Sequence, residues 1–117
     1  MTRLVLIVED EPIIRMNAVA IVEDAGFDVV EASNADDAMA LMERRPDIAA
    51  VFSDIEMPGS MDGLALMHQV RIGWPPVVLI LASGRITPPA CDMPDDTTFL
   101  HKPYSETALL DALHAIH

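Results

Sequence analysis

Carboxylates, a hydroxyl and an ammonium recur in this chain at one kind of place, just after an apolar run. Glu9 and Asp10 follow Leu4-Val5-Leu6-Ile7-Val8, and Asp54 stands at the end of the run that starts Ile48-Ala49-Ala50-Val51-Phe52. Ser83 and Gly84 come after Val77-Val78-Leu79-Ile80-Leu81, and Lys102 with Pro103 comes after Thr97-Thr98-Phe99-Leu100-His101. Acids brought together repel and raise one another's pKa unless they share a cation. Mg²⁺ takes oxygen ligands in octahedral geometry, usually one or two carboxylates completed by waters and phosphate oxygens, which suits Asp10 and Asp54 better than Zn²⁺ would. With such an ion on one side and the Lys102 ammonium on the other, the Asp54 carboxylate is placed to attack a phosphoryl group in line, both cations neutralising the equatorial oxygens. The expected chemistry is that of an acyl-phosphate acceptor. Singly, each residue has a plainer reading: acids at a helix start complement its dipole, and an Asp at a strand end is a turn residue.

These residues converge only if the apolar runs are neighbouring strands. Residues 4–8, 48–52 and 77–81 are apolar throughout, the pattern of strands buried on both faces of a parallel sheet. Residues 27–31 and 97–101 have mixed polarity, which suits positions nearer an edge. Pro12 opens a helix with Ile14, Ala18, Ile21, Val22 and Ala25 on one face before Gly26 ends it. A second has Ser33 or Asn34 as cap, Ala38, Leu41 and Met42 inward, Arg44 and Arg45 in the last turn and Pro46 beyond. A third runs from Asp62 or Gly63 through Leu64, Met67 and Val70 to Gly73, where Pro75-Pro76 bars continuation. The last begins near Ser105, with Leu109, Leu110, Leu113 and Ile116 inward. Strand and helix thus alternate, which predicts an α/β fold with a doubly wound parallel sheet and a site at its C-terminal edge. Residues 84–96 are the exception, since Pro88, Pro89 and Pro94 predict a loop or a short irregular turn.

At 117 residues, 51% hydrophobic and 22% charged, the chain fits one domain, 1–117, with a buried core. Its net charge of −12 repels phosphate backbones and anionic lipid, so direct contact with nucleic acid or membrane is not expected. The first apolar run is too short for a signal peptide or membrane span. Cys91 has no partner for a disulfide, in keeping with a reducing, cytoplasmic setting. His68, His101, His114 and His117 share no metal-ligand spacing. The methionines read mostly as core filler, and Trp74 as a residue packed over a loop.

Val8-Glu9-Asp10-Glu11-Pro12, Asp54-Ile55-Glu56-Met57-Pro58-Gly59, Asp62-Gly63, Ser83-Gly84 and Lys102-Pro103 together resemble the signature of the response-regulator receiver family, chemotaxis-regulator-like, over essentially the whole chain. Each motif is weak alone; five in order at strand ends are specific. The resemblance implies a flavodoxin-like five-stranded sheet with Asp54 as phosphoacceptor. It implies Mg²⁺, with Mn²⁺ as substitute, on Asp10, Asp54 and the Glu56 backbone carbonyl, and on Glu9 through water. Ser83 matches the hydroxyl that bonds the phosphoryl oxygen, Lys102 the ammonium that pairs with it, and Phe99 the aromatic switch that turns inward as Ser83 moves. The Lys102-Pro103 bond matches a position that is usually cis.

Gly84 stands where a small residue opens access to the phosphoryl group, and Ser60 looks like a one-residue loop insertion. The family's fourth helix, which helps form its signalling face, is expected to be short or missing. Glu56 and Arg85 flank the site and could pair across its mouth to screen the phospho-aspartate from water, but the plainer reading, that both are solvated and pair weakly if at all, is the preferred one.

Implied partners are a sensor histidine kinase or histidine phosphotransfer protein as donor and a downstream protein target, with slow autodephosphorylation and no other enzymatic activity. Met1 and the complete last helix favour a stand-alone receiver over one excised from a larger protein. Two rival readings are a small Mg²⁺-dependent phosphohydrolase, since Asp54-x-Glu56 distantly resembles the acid pair of haloacid-dehalogenase-like phosphatases, and an interaction module that binds Mg²⁺ but never phosphate.

Overall fold

The computed structural model describes residues 3–57, 59 and 61–116; the readings made for Met1, Pro58, Ser60 and His117 therefore lie outside the described residues. In chain order the elements are β1 (Leu4–Val8), α1 (Pro12–Asp24), β2 (Asp28–Ala32), α2 (Ala35–Arg44), β3 (Ile48–Asp54), α3 (Gly63–Gly73), β4 (Val78–Ser83), β5 (Thr98–His101) and α4 (Glu106–Leu113). The strands form one parallel sheet in the order β2-β1-β3-β4-β5. This is the doubly wound, flavodoxin-like arrangement expected from the alternation of strands and helices.

Alternate strand residues face opposite sides, and each side has its own core. Leu4, Leu6, Val8, Val51, Leu79 and Leu81 pack with Ala38 and Met42 of α2 and Leu66, Met67 and Val70 of α3. Val5, Ile7, Phe52 and Ile80 pack with Ala18, Ile21 and Val22 of α1 and Leu109 and Leu113 of α4. Burying each large aliphatic side chain contributes roughly 1.5–3 kcal/mol, so the strands are held by both layers.

Side chains set where the helices begin. Asn34, rather than Ser33, caps α2 by accepting from the Asp37 N–H at 2.8 Å. Asp62 accepts from Ala65 at 2.9 Å and Ser105 from Ala108 at 3.0 Å, each satisfying an amide that the first helical turn leaves open. Gly26, at φ +97°, takes the left-handed conformation that ends α1.

Two inward assignments on α1 need correction: Ile14 is 40% exposed and Ala25 is exposed. The helix covers its sheet with the narrow stripe Ala18, Ile21, Val22, and Ile14 falls outside it. Met16, 67% exposed, is likewise no core filler. Trp74 is half-buried against the α2–α3 layer, and its backbone N–H donates to Val70 O at 2.7 Å, capping α3.

Between β4 and β5 the described chain has no α-helix, only one 3₁₀ turn, Ala90–Asp92, as the prolines predict. The segment is nevertheless anchored. Pro88 and Pro94 are buried, the Arg71 guanidinium donates to the carbonyls of Pro75, Val77 and Asp95, and His68 Nε2 lies 2.6 Å from Asp92 O.

Candidate functional site

The strand order reverses between β1 and β3, and the chain leaves these two strands toward opposite faces. That divergence opens a crevice at their C-terminal ends. The register Val8↔Ser53, Asp54↔Ala82 and Ser83↔His101 brings four strand ends level, so Glu9, Asp10, Asp54, Ser83 and Lys102 share one edge.

Asp54 is the last residue of β3 and 7% exposed. Its position depends on how closely α3 starts against it. A Cβ on Gly63 would stand 2.0 Å from Asp54 O and 2.9 Å from Ile55 Cα, so no other residue fits. The Gly63 N–H donates to Ile55 O at 3.0 Å and Ser53 Oγ to Asp54 O at 2.9 Å, fixing the turn that follows the strand.

One carboxylate oxygen each from Glu9, Asp10 and Asp54 lie within 4.8 Å of one another; Glu9 and Asp54 are buried and Asp10 is exposed. Lys102 Nζ stands 2.9 Å from Glu9 Oε1 and 3.2 Å from Asp54 Oδ1. The first contact is a hydrogen bond. The second is a charge contact without hydrogen-bond direction, and Asp54 Oδ1 is buried with no hydrogen-bond partner. Burial and, next, the charge of Glu9 push the Asp54 carboxyl up to about 6 against the opposing pull of Lys102. Burial by itself would lower the Lys102 ammonium, but the bond to Glu9 and the charge of Asp54 outweigh it and hold it above the usual lysine range. Three acids therefore face one ammonium, with one acid oxygen unsatisfied. Mg²⁺ fits this donor set: hard oxygens only, an excess of negative charge and an orphaned carboxylate oxygen.

Across the crevice, Ser83 is fully buried. Its Oγ accepts from the N–H groups of Arg85 at 3.1 Å and Ile86 at 3.0 Å, and it donates a short hydrogen bond to Glu56 Oε1. Burial would raise the Glu56 carboxyl, but its hydrogen bonding, that of Ser83 foremost, holds it below the usual range. No ion pair joins Glu56 and Arg85 among the described residues, and Arg85 is exposed, as the plainer reading has it. Glu56 turns into the site because the buried Ser83 hydroxyl bonds it there, which leaves the guanidinium in solvent.

Phe99 is half-buried and meets His101 edge-on at 5.1 Å, while His101 Nε2 lies 3.0 Å from Thr87 Oγ1. Gly84 is exposed, and a Cβ there would meet Lys102 Cβ at an ordinary 3.5 Å. The Lys102–Pro103 bond is cis.

Two supporting residues escaped the sequence reading. Arg15 Nη1 donates to Glu9 O at 2.8 Å and its Nε to Glu31 at 3.1 Å, clamping the turn after β1. Tyr104 packs edge-on against Phe52 at 5.4 Å, and burial pushes its hydroxyl pKa up. In sequence, an arginine in the first turns of a helix looks like any solvated cation, and nothing distinguishes Tyr104.

The family model described as the response regulator receiver domain matches residues 5–114. The sensor kinase CckA of Brucella abortus (strain 2308) is 36% identical over 105 residues, which cover 86% of this chain and 11% of that protein. The nitrogen assimilation regulatory protein NtrX of Azorhizobium caulinodans is 37% identical over 111 residues, 91% of this chain and 24% of that protein. The chain thus spans between about a tenth and a quarter of the length of these curated relatives. Among solved structures, the receiver domain from the hybrid histidine kinase CckA superposes with a TM-score of 0.80 at 28% identity, covering 95% of each chain.

Proposed function

This chain belongs to the response regulator receiver domain family, and on that premise we propose that Asp54 is its phosphoacceptor, with Lys102 and Ser83 as the groups that bind the transferred phosphoryl. The observation that carries the assignment is the state of Asp54 Oδ1, buried without a hydrogen bond and 3.2 Å from the Lys102 ammonium.

Asp10 and Asp54, with the Glu56 backbone carbonyl, would hold Mg²⁺, or Mn²⁺ in its place. When bound, the ion supplies positive charge to the phosphoryl oxygens opposite Lys102. Both oxygens of Glu9 are engaged, one by Lys102 and one by the Glu11 N–H at 3.1 Å. Glu9 therefore anchors the lysine and would reach a cation through water. In the transfer, an Asp54 oxygen bonds to phosphorus as the P–N bond of a phosphohistidine breaks; the electron pair leaves on the imidazole nitrogen, which takes up a proton. Later attack by water at phosphorus releases inorganic phosphate and restores the carboxylate.

The donor is a histidine kinase or histidine phosphotransfer protein, for which Ile13, Ile14, Pro103 and Tyr104 form an apolar recess beside Lys102; Ile13 is 76% exposed. The setting is cytoplasmic, and the output is altered contact with a downstream protein through the Ser83–Phe99 region. Autodephosphorylation is the only turnover assigned to the chain.

Incubation with acetyl phosphate and Mg²⁺, read by intact mass, tests the reading. One phosphoryl should appear on the parent and none on Asp54→Ala. No modification of the parent, or equal modification of the variant, would overturn it.

A further inference from the structure

We propose that the Glu56 carboxylate is an internal occupant of the phosphoryl site, engaging in the unmodified protein the groups that a phosphoryl oxygen on Asp54 would need. This rests on the phosphoacceptor reading above and goes beyond it in assigning a role to a side chain rather than to its backbone carbonyl.

A serine hydroxyl has one proton to donate. In Ser83 that proton goes to Glu56 Oε1, while the amides of Arg85 and Ile86 occupy the acceptor side of the same oxygen at 3.1 and 3.0 Å. The hydroxyl is fully buried, so solvent offers it no other acceptor, and it cannot serve Glu56 and a phosphoryl oxygen together. The Glu56 carboxylate thus holds the hydroxyl on the wall of the site that an oxygen attached to Asp54 would need.

Glu56 is also an anion. A phosphoryl group arriving on Asp54 would bring negative charge against it at hydrogen-bond range, where like charges repel. No ion pair among the described residues holds Glu56, and the residue is only half-buried, so it can swing outward once it loses Ser83. Phosphorylation then exchanges one acceptor on Ser83 for another. The hydroxyl is released to the phosphoryl oxygen only when Glu56 leaves, which sets a threshold for occupancy of the site and for any movement of Phe99.

Beryllofluoride binding with saturating Mg²⁺ tests this, comparing the parent with Glu56→Ala and Glu56→Gln by titration and by amide NMR. Losing a hydrogen bond to a charged competitor should tighten binding by on the order of tenfold or more in Glu56→Ala. The gain should be smaller in Glu56→Gln, which keeps a neutral acceptor for Ser83. In Glu56→Ala without beryllofluoride, the Arg85 and Ile86 amide signals should already move toward their positions in the beryllofluoride-bound parent. Parent and both variants binding equally, with those amides unmoved, overturns the role of Glu56 while the phosphoacceptor reading stands. A parent that binds no beryllofluoride at all overturns both.

Discussion

Glu9 Oε1 and Lys102 Nζ meet at 2.9 Å across 93 positions of sequence, tying the first strand's exit to the last strand's. The glutamate is 5% exposed, so the pair is screened little by solvent. Asp54 completes the arrangement at 3.2 Å from the same ammonium, and the two acids compete for it.

Glu9→Gln keeps the side chain's shape but removes its charge. Because the charge of Glu9 raises the Asp54 carboxyl, and because Lys102 would then serve Asp54 alone, Asp54 should titrate well below about 6. A ¹³C carboxyl titration in metal-free buffer reads this directly. The fold should lose about 1–3 kcal/mol in urea unfolding, the cost of leaving a mostly buried ammonium with one partner fewer. An unmoved Asp54 titration would mean that the two acids do not interact.

Asp54 also makes stability depend on pH. Burial and the charge of Glu9 push its carboxyl up to about 6 in the fold, well above the usual aspartate range, so the folded state binds this proton more tightly than the unfolded state. The resulting stabilisation is full below about pH 4 and is lost as the pH rises through about 6. In chelator, Asp54→Asn should therefore gain on the parent over that interval, to roughly 1–3 kcal/mol at pH 7. Mg²⁺ should restore the parent by mass action, about 1.4 kcal/mol at ten times Kd, and do little for the variant. Thermal melts at pH 4 and pH 7, with chelator and with Mg²⁺, check both signs.

Gly63→Ala would put a methyl carbon 2.0 Å from Asp54 O, and backbone rather than a flexible side chain would have to yield. A loss of about 2–4 kcal/mol, at the upper end for single substitutions, and a fall in phosphoryl acceptance are expected. Gly84→Ala, with only a 3.5 Å contact to Lys102 Cβ, should fold as the parent does. Equal melting of the two variants would show that the close approach of α3 to β3 is unimportant.

Arg71→Met should loosen the segment between β4 and β5 without touching the site. Its guanidinium ties the Asp95 carbonyl of that segment to the carbonyls of Pro75 and Val77 before β4, each hydrogen bond to a charged donor contributing about 1.5–3 kcal/mol when not replaced by water. Hydrogen exchange at residues 84–97 should quicken while β1 and β3 stay protected; unchanged exchange would show that the buried prolines alone hold the segment.

Most of this architecture was readable in the chain. Apolar runs at 4–8, 48–52 and 77–81 need burial on both faces, which only a parallel sheet between helix layers provides, and their C-terminal neighbours then lie on one edge. Where reading and structure part, the cause is contact between distant segments. Ile14 has the spacing of a core residue, but the sheet beneath α1 is covered by Ala18, Ile21 and Val22. Arg85 carries a charge suited to Glu56, yet the serine two residues earlier offers Glu56 a buried hydroxyl, against which a solvated guanidinium competes weakly.

By itself, then, the sequence determined the α/β class, the irregular segment after β4 and the set of acids, hydroxyl and ammonium at the strand ends, because each follows from local periodicity, proline chemistry or residue type. Only the tertiary structure decided which of those groups hold one another. That Glu9 takes Lys102, that Asp54 keeps an unsatisfied oxygen and that Ser83 is bonded to Glu56 all depend on distances between separate strands, and hydrogen bonds and buried charges change their energies over fractions of an ångström, far finer than residue order specifies.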